Sequence, residues 1–457
     1  MSTPPTTSIG GRSELPESPV TVRLTVFGVS RDRLRVWGFK WVLSLVDQAL
    51  TSGAGFAVNI LLARWLSPSL YGAFAVAFAA SLFVAGFHTV LLLEPLSVFG
   101  PARHASNLGE YFRVQVRVHF LLVGALSGFG LIAALAMWFV VPQNPVTPAV
   151  AASAIALPFF LLLWLTRRMC YVVQKPSLAV SGSVAYLVAV LLGLFILRDL
   201  GSVSPFSVFL LIGVASMFAS AVHLWRLVRH KKSKNQVVLS SREVLEENWT
   251  YGRWLVASTT LFTVSTQAQT FLAAGFLGLS AAGILRAMQI PSLVMTQVTA
   301  AAGLLVLPTF SYDFGRGLTG RLRKKATFVS LSLAVGAMCV VALVMAFIGP
   351  AEHLLFGGKY AAYAKLMPLL ALVPVFAGMG MGYSMALRAS QKPHFDLIAN
   401  AVAAPLGLLS AILFVRWWGL TGVAASMVLS SLASTIVIFL SYRFRAEDLR
   451  IVEGTAR

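Results

Sequence analysis

The sequence predicts an all-α polytopic membrane protein with about twelve transmembrane helices in two six-helix halves. Hydrophobic residues make up 58% of the 457 residues and charged residues 11%, whereas charged residues make up about 25% of a typical soluble domain. Apolar runs of about twenty residues, the length that spans a bilayer, recur along the chain. The composition therefore excludes a soluble globular protein.

The N-terminal segment, residues 1–40, differs from the rest of the chain. It contains Pro, Ser, Thr and scattered charges, and the basic and aromatic stretch RDRLRVWGFKW follows at residues 31–41. We predict no signal peptide, because no apolar core followed by a small-residue cleavage site is found here. We expect a disordered cytoplasmic arm whose end lies at the membrane interface.

The apolar runs place the twelve predicted helices in chain order. They cover residues 41–63, 71–93, 118–140, 148–166, 177–197, 204–225, 254–276, 285–308, 327–349, 362–387, 395–415 and 420–441. Pro368 and Pro374 interrupt the tenth run, because proline cannot donate the backbone hydrogen bond of a helix interior.

The positions of the basic residues predict the orientation, since Lys and Arg collect on the cytoplasmic side of a membrane. With a cytoplasmic N-terminus, all but six of the 36 Lys and Arg residues fall in cytoplasmic segments. The six exceptions lie at or near outer helix ends and are Arg64, Arg198, Arg286, Lys359, Lys365 and Arg416. We therefore predict a cytoplasmic C-terminal tail at 442–457, and the net charge of +20 reflects topology and not nucleic-acid binding.

The cytoplasmic connecting loop at 226–253 divides the helices into halves at 41–225 and 254–441. Within this loop, Ser240 and Glu243 have the spacing of a capping box, which predicts a short interfacial helix. A weak internal repeat supports the division, because WLSPSLYG at 65–72 aligns with FLGLSAAG at 276–283 and pairs Gly72 with Gly283. Many secondary transporters are built from such paired halves.

Four stretches and their order carry a resemblance to a known family. They are LARWLSPSLYGAFAVA, LLFGGKYAAYAKLMPLLAL, ALRASQKPHFDLIANAVAAPLGLLSAILFV and WWGLTGVAASMVLSSLAS. Together with the twelve-helix plan, the chain over about 38–445 resembles polysaccharide flippases of the multidrug/oligosaccharidyl-lipid/polysaccharide exporter superfamily. The resemblance does not extend to the arm before residue 31.

The resemblance implies a multi-pass protein of the bacterial inner membrane that moves polyprenyl-pyrophosphate-linked oligosaccharide to the outer leaflet for surface or exported polysaccharide synthesis. The expected partners are this lipid-linked substrate, membrane lipids, and a glycan polymerase with its export machinery. A pyrophosphate and a sugar head cannot cross hydrocarbon unaided. The resemblance therefore also implies a hydrated central cavity that contains cations.

Two acidic residues in or beside the predicted helices, Asp47 inside the first and Glu94 at the inner end of the second, are candidates for ion coupling or gating. Asp47 either binds a coupling cation or proton, or pairs with a substrate-binding arginine such as Arg286. Alternatively, it forms part of a structural polar cluster with Gln48, Thr51 and Ser52. Glu94 is either a gate residue or a structural partner of a basic residue, Arg103 or Arg113.

Three arginines are candidates for substrate binding. Arg286 and Arg64 could clamp the pyrophosphate, because a guanidinium makes bidentate contacts to phosphoryl oxygens. Snorkelling to headgroups is the alternative for both, and it is favoured for Arg64 beside Trp65. Arg388, in the segment after the tenth helix, either recruits pyrophosphate or is a topology charge.

The residues alone leave two other functions open. No nucleophile, metal-ligand or nucleotide-binding motif is found in the sequence, so we predict no enzyme activity, cofactor or metal. The first alternative is a cation-coupled multidrug exporter of the same superfamily. The second, from a different class, is a polytopic polysaccharide polymerase or ligase.

Overall fold

The computed structural model describes residues 31–228, 239–390 and 392–455, which form helices and no β-strand. Residues 1–30 of the predicted N-terminal arm lie outside the described residues, and residues 31–40 form the first turns of α1. The described part of the chain is therefore all-α, as the composition predicts.

The first half contains the helices that correspond to the first six predicted spans. They are α1 (Arg31–Trp65), α2 (Pro68–His88), α3 (Glu94–Ala102), α4 (Leu108–Val140), α5 (Val146–Val172), α6 (Pro176–Asp199) and α7 (Pro205–Val228). A π-helical segment, Thr89–Leu93, joins α2 to α3, so that these elements form one apolar span.

The second half contains six further helices. They are α8 (Ser241–Leu277), α9 (Leu279–Gly315), α10 (Thr319–Ala346), α11 (Ile348–Phe356), α12 (Leu366–Ala389) and α13 (His394–Thr455). Gly419 interrupts α13 with a φ of 52°, a left-handed conformation that glycine adopts without a steric penalty. The eleventh and twelfth predicted spans are thus the two segments of α13 on either side of Gly419.

Nine helices of the described residues are long and apolar enough to cross a membrane, and α13 counts once among them. Neither α8 nor α9 is among the nine, although each has 37 residues. In α8 the stretch ASTTLFTVSTQAQT, residues 257–270, is rich in Ser, Thr and Gln. The chain is a multi-pass membrane protein whose seventh predicted span, in α8, is unusually polar.

The predicted capping box is confirmed at the start of α8. The Ser240 side chain accepts a hydrogen bond from the first turn, and the Glu243 carboxylate accepts one from the Ser240 backbone N–H. The helix that begins here is continuous with the seventh span, because residues 241–277 are helical throughout. The interfacial segment is therefore an extension of α8 and not a separate short helix.

The two halves meet where α2 crosses α9. A Cβ atom on Gly72 would lie 1.8 Å from the Leu279 carbonyl oxygen, and one on Gly283 would lie 2.2 Å from the Pro68 carbonyl oxygen. Both positions therefore require glycine for the helices to approach this closely. The two glycines that the sequence repeat aligns contact each other directly, and we call this contact the glycine seam.

Candidate functional site

Asp47 is completely buried in α1. Its carboxylate accepts hydrogen bonds from Arg167 Nη2 at 2.7 Å, from Tyr171 Oη at 2.5 Å and from Ser183 Oγ at 2.5 Å. Arg167 also forms an ion pair with it, and only 14% of the Arg167 side chain is exposed. We call these four residues the Asp47 cluster.

Three helices of the first half build the Asp47 cluster. Arg167 and Tyr171 are four residues apart on the last turns of α5 and therefore share one helix face. Ser183 lies two turns into α6, which packs against α1. Because Arg167 already compensates the Asp47 charge, a proton or cation must compete with this arginine to bind.

His223 of α7 lies close to this cluster and has a partner for each ring nitrogen. Its Nδ1 is 3.1 Å from Thr166 Oγ1, and its Nε2 is 3.1 Å from the Leu178 carbonyl oxygen. A Cβ on Gly182 would lie 1.9 Å from His223 Nε2, so this glycine provides the space for the ring. The contacts describe a packed core histidine.

A second candidate site lies next to the glycine seam, two turns into α9. Arg286 Nε donates a hydrogen bond to Asn59 Oδ1 at 3.3 Å, and Tyr71 Oη donates to the same oxygen at 3.0 Å. The guanidinium carbon of Arg286 is 5.7 Å from the centre of the Phe78 ring. No carboxylate of the described residues forms an ion pair with Arg286.

The segment between α11 and α12 contacts the end of α1. Lys359 Nζ donates hydrogen bonds to the carbonyl oxygens of Ala63, Arg64 and Leu66, at 3.1, 2.5 and 2.8 Å. Burial lowers the pKa of the Lys359 ammonium from its usual value. The last carbonyls of a helix have no partner within the helix. The Lys359 ammonium, from the second half, therefore supplies hydrogen-bond donors to the carbonyl oxygens at the end of α1.

Polar side chains also connect α1 to α9, in the part of α1 between Asp47 and Asn59. Gln48 Nε2 and Ser52 Oγ donate hydrogen bonds to Gln297 Oε1, at 3.4 and 3.2 Å. The bonded groups are exposed, so these hydrogen bonds lie at the surface of the contact between α1 and α9. Thr51, by contrast, lies on the other side and is 3.2 Å from Ser183 Oγ.

Glu94 is not paired with the basic residues that the sequence suggested as structural partners. Arg103 forms its ion pair with Glu247 at 2.7 Å, and Arg113 forms its ion pair with Glu110. The charges that act on Glu94 are those of Arg168 and Arg388. Arg388 belongs to the second half, so this acid of the first half lies near a basic residue of the other half.

The three arginines predicted to bind substrate do not form one site. Arg286 lies beside the glycine seam, whereas Arg64 is exposed and donates to the Leu354 carbonyl oxygen at 3.4 Å. Arg388 lies at the far end of α12, where it forms an ion pair with Asp396. Asp47 has no contact with Arg286, so the arginine that pairs with this acid is Arg167.

Sequence reasoning missed the roles of Arg167, Tyr171 and Lys359. The orientation prediction places Arg167 in a cytoplasmic segment, because it follows the fourth apolar run. The four-residue spacing of Arg167 and Tyr171 on one helix face was the available signal. No comparable signal pointed to Lys359, because its partners are backbone carbonyls of a helix far away in sequence.

Comparison with solved structures places this arrangement in a known fold. The chain is similar to a multidrug resistance MATE family transporter of the MOP superfamily in its inward-facing conformation, with a TM-score of 0.75, 14% identity, and coverage of 89% of this chain and 99% of the other. An outward-facing conformation of such a transporter gives a TM-score of 0.57 at 14% identity, covering 91% of this chain and 94% of the other.

A flippase is also among the similar structures. The lipid II flippase MurJ, in an inward closed conformation, gives a TM-score of 0.67 at 12% identity and covers 91% of this chain and 92% of the other. No protein-family model matches the sequence, and no curated protein sequence matches it significantly. The chain therefore has the fold that these MATE transporter and MurJ flippase structures share.

Proposed function

We propose that this chain is a flippase that moves polyprenyl-pyrophosphate-linked oligosaccharide from the inner to the outer leaflet of a bacterial inner membrane, with both termini cytoplasmic. The observation that carries the proposal is Arg286, a largely buried cation at the contact between the halves with no carboxylate partner among the described residues. A buried charge without a partner is costly. An anionic substrate would supply the missing partner during transport.

The chemistry of Arg286 suits a pyrophosphate. A guanidinium offers several N–H donors in a planar fork, so it binds phosphoryl oxygens in a bidentate manner. Asn59 of α1 accepts a hydrogen bond from its side chain, and Tyr71 of α2 donates to the same Asn59 oxygen. Because these helices belong to the other half, a phosphate bound here would contact both halves and be released when they separate.

The polar stretch of α8 supports a sugar as the other part of the substrate. Between residues 257 and 270, hydroxyl and amide side chains recur on several faces of the helix, and such groups hydrogen-bond sugar hydroxyls. The carboxylates at Asp47 and Asp396 are paired with arginines. A cationic drug would find few uncompensated acids, although a multidrug exporter is the alternative that the similarity to MATE transporters supports.

The test uses the purified full chain in vesicles that contain a fluorescent polyprenyl-pyrophosphate-linked oligosaccharide. Transport is the fraction of label that becomes accessible to a membrane-impermeant quencher. We expect Arg286→Gln to reduce the rate by about 10- to 100-fold, since a hydrogen bond to a charged group contributes about 1.5–3 kcal/mol. Arg286→Lys should keep part of the rate because the charge remains.

Arg416→Gln is the matched control, because Arg416 is an exposed arginine of α13 and should transport at the wild-type rate. The same vesicles are tested for efflux of a cationic dye. Dye efflux without movement of the lipid-linked oligosaccharide would refute the proposal and support the multidrug alternative.

A further inference from the structure

A groove outside the candidate sites opens at the membrane surface beside the start of α1. Its volume is about 650 Å³, and it lies between α1 and the turn that joins α5 to α6. The residues that line it are Phe39, Lys40, Leu43, Gln174, Lys175, Pro176 and Ser177. None of these residues belongs to the Asp47 cluster or to the site around Arg286.

The two walls of the groove each carry a cation and an apolar surface. Lys40 lies on α1 between Phe39 and Leu43, and Lys175 lies on the facing turn next to Pro176. None of the ion pairs found in the described ranges includes either lysine. Within the part of the chain that the structure describes, the groove therefore has two lysines without an acidic partner above an apolar floor.

The turn that carries Lys175 has a defined backbone. Gln174 adopts a left-handed conformation with a φ of 59°, and Lys175 N donates to the Cys170 carbonyl oxygen at 3.0 Å. Because α6 begins at Pro176 directly afterwards, the position of Lys175 is fixed relative to both helices. The positive end of the α6 dipole adds to the lysine charge.

The position of the groove relative to the membrane indicates the type of ligand. The apolar span of α1 begins at Val42, so Lys40 and Phe39 lie where headgroups meet acyl chains. Phe39 is 64% exposed and Val42 is 55% exposed, so both offer apolar surface to lipid. A free phosphate would use the lysines but not these apolar side chains.

We propose that this groove binds an anionic phospholipid, with its phosphate between Lys40 and Lys175 and its acyl chains against Phe39 and Leu43. The elements that form the groove also hold the Asp47 cluster, since Tyr171 and Arg167 lie just before the same turn. A bound lipid would therefore hold α1 against α5 and α6. This proposal is independent of which substrate the protein transports.

The test measures binding of phosphatidylglycerol to the purified full chain by native mass spectrometry and by titration in phosphatidylcholine nanodiscs. We expect the double variant Lys40→Gln/Lys175→Gln to bind phosphatidylglycerol roughly thirtyfold more weakly, since each lysine near anionic lipid contributes about fivefold. Lys365→Gln is the matched control, an exposed lysine at the other end of the bundle, and should bind as the wild type.

Three outcomes would overturn the proposal. One is equal binding of phosphatidylglycerol by the wild type and the double variant, with equal melting temperatures showing that both are folded. Another is equal binding of phosphatidylcholine and phosphatidylglycerol by the wild type. The third is displacement of the lipid by millimolar inorganic phosphate, which would show a site for free anions in place of a lipid site.

Discussion

The two ends of α1 are held in different ways. At the Asp47 end, the buried carboxylate is bound by residues of α5 and α6, which belong to the same half. At the other end, Lys359 and the glycine seam connect α1 and α2 to the second half. Alternating access in paired-repeat transporters is a rocking of one half against the other. If the proposed transport rocks one half against the other, the Asp47 cluster moves as a unit, whereas the contacts of Lys359 and of the glycine seam break.

The largest expected effect comes from Asp47→Asn, which leaves the Arg167 charge without its partner. Breaking a buried ion pair costs about 3–5 kcal/mol, so we expect both a lower melting temperature and loss of transport. The double variant Asp47→Asn/Arg167→Gln removes both charges and should recover most of the stability. Thermal unfolding in detergent and transport in vesicles are measured for each variant.

The double variant separates a structural role of Asp47 from a role in ion coupling. If transport returns together with stability, the acid serves only to hold α1 in its half. If stability returns while transport stays absent, the charge itself is needed in the cycle. A single Asp47→Asn variant with wild-type stability would contradict the description of the Asp47 cluster as a unit of the first half.

The next largest effect is expected from Gly72→Ala at the glycine seam. The new methyl group would meet the Leu279 backbone, which cannot turn aside as a side chain can. Overpacking of this kind costs about 1–3 kcal/mol, so the population should shift toward the conformation in which this seam is open. Spin labels on the α1–α2 and α8–α9 turns measure the distance, after replacement of the exposed Cys339 by Ser.

Gly275→Ala is the matched control for this experiment, because nothing lies within 4 Å of the new atom. It should leave the distance distribution unchanged. An unchanged distribution for Gly72→Ala as well would show that the seam does not close one state of the cycle.

Lys359→Met should produce a smaller shift toward the conformation in which the seam is open. The variant removes the three hydrogen bonds from Lys359 to carbonyl oxygens at the end of α1. The effect should be about 1 kcal/mol, because the side chain is exposed and water can replace the ammonium. The readout is the rate at which a cysteine at position 64 reacts with a membrane-impermeant thiol reagent. Equal rates in Lys359→Met and in the control Lys365→Met would show that Lys359 does not hold this end closed.

The sequence by itself determined most of the helical spans and the capping box at Ser240, and its repeat aligned the two glycines that the structure brings into contact. These features depend on residues that are close in the chain or on a repeat between the halves. Hydropathy is a local property, so a run of apolar residues identifies a membrane span regardless of its neighbours. A capping box likewise needs only residues three positions apart.

Only the tertiary structure decided which partner each charged residue has. The sequence leaves open whether Asp47 binds a coupling cation or proton, pairs with a substrate-binding arginine, or belongs to a polar cluster with Gln48, Thr51 and Ser52. In the structure the partners of its carboxylate are Arg167, Tyr171 and Ser183. Pairing depends on the packing of α1 against α5 and α6, and the partner residues on those helices are more than 100 positions away from Asp47 in the chain. The sequence shows which charged residues lie in apolar segments, where burying a charge is costly. Which group compensates each charge depends on how the helices pack.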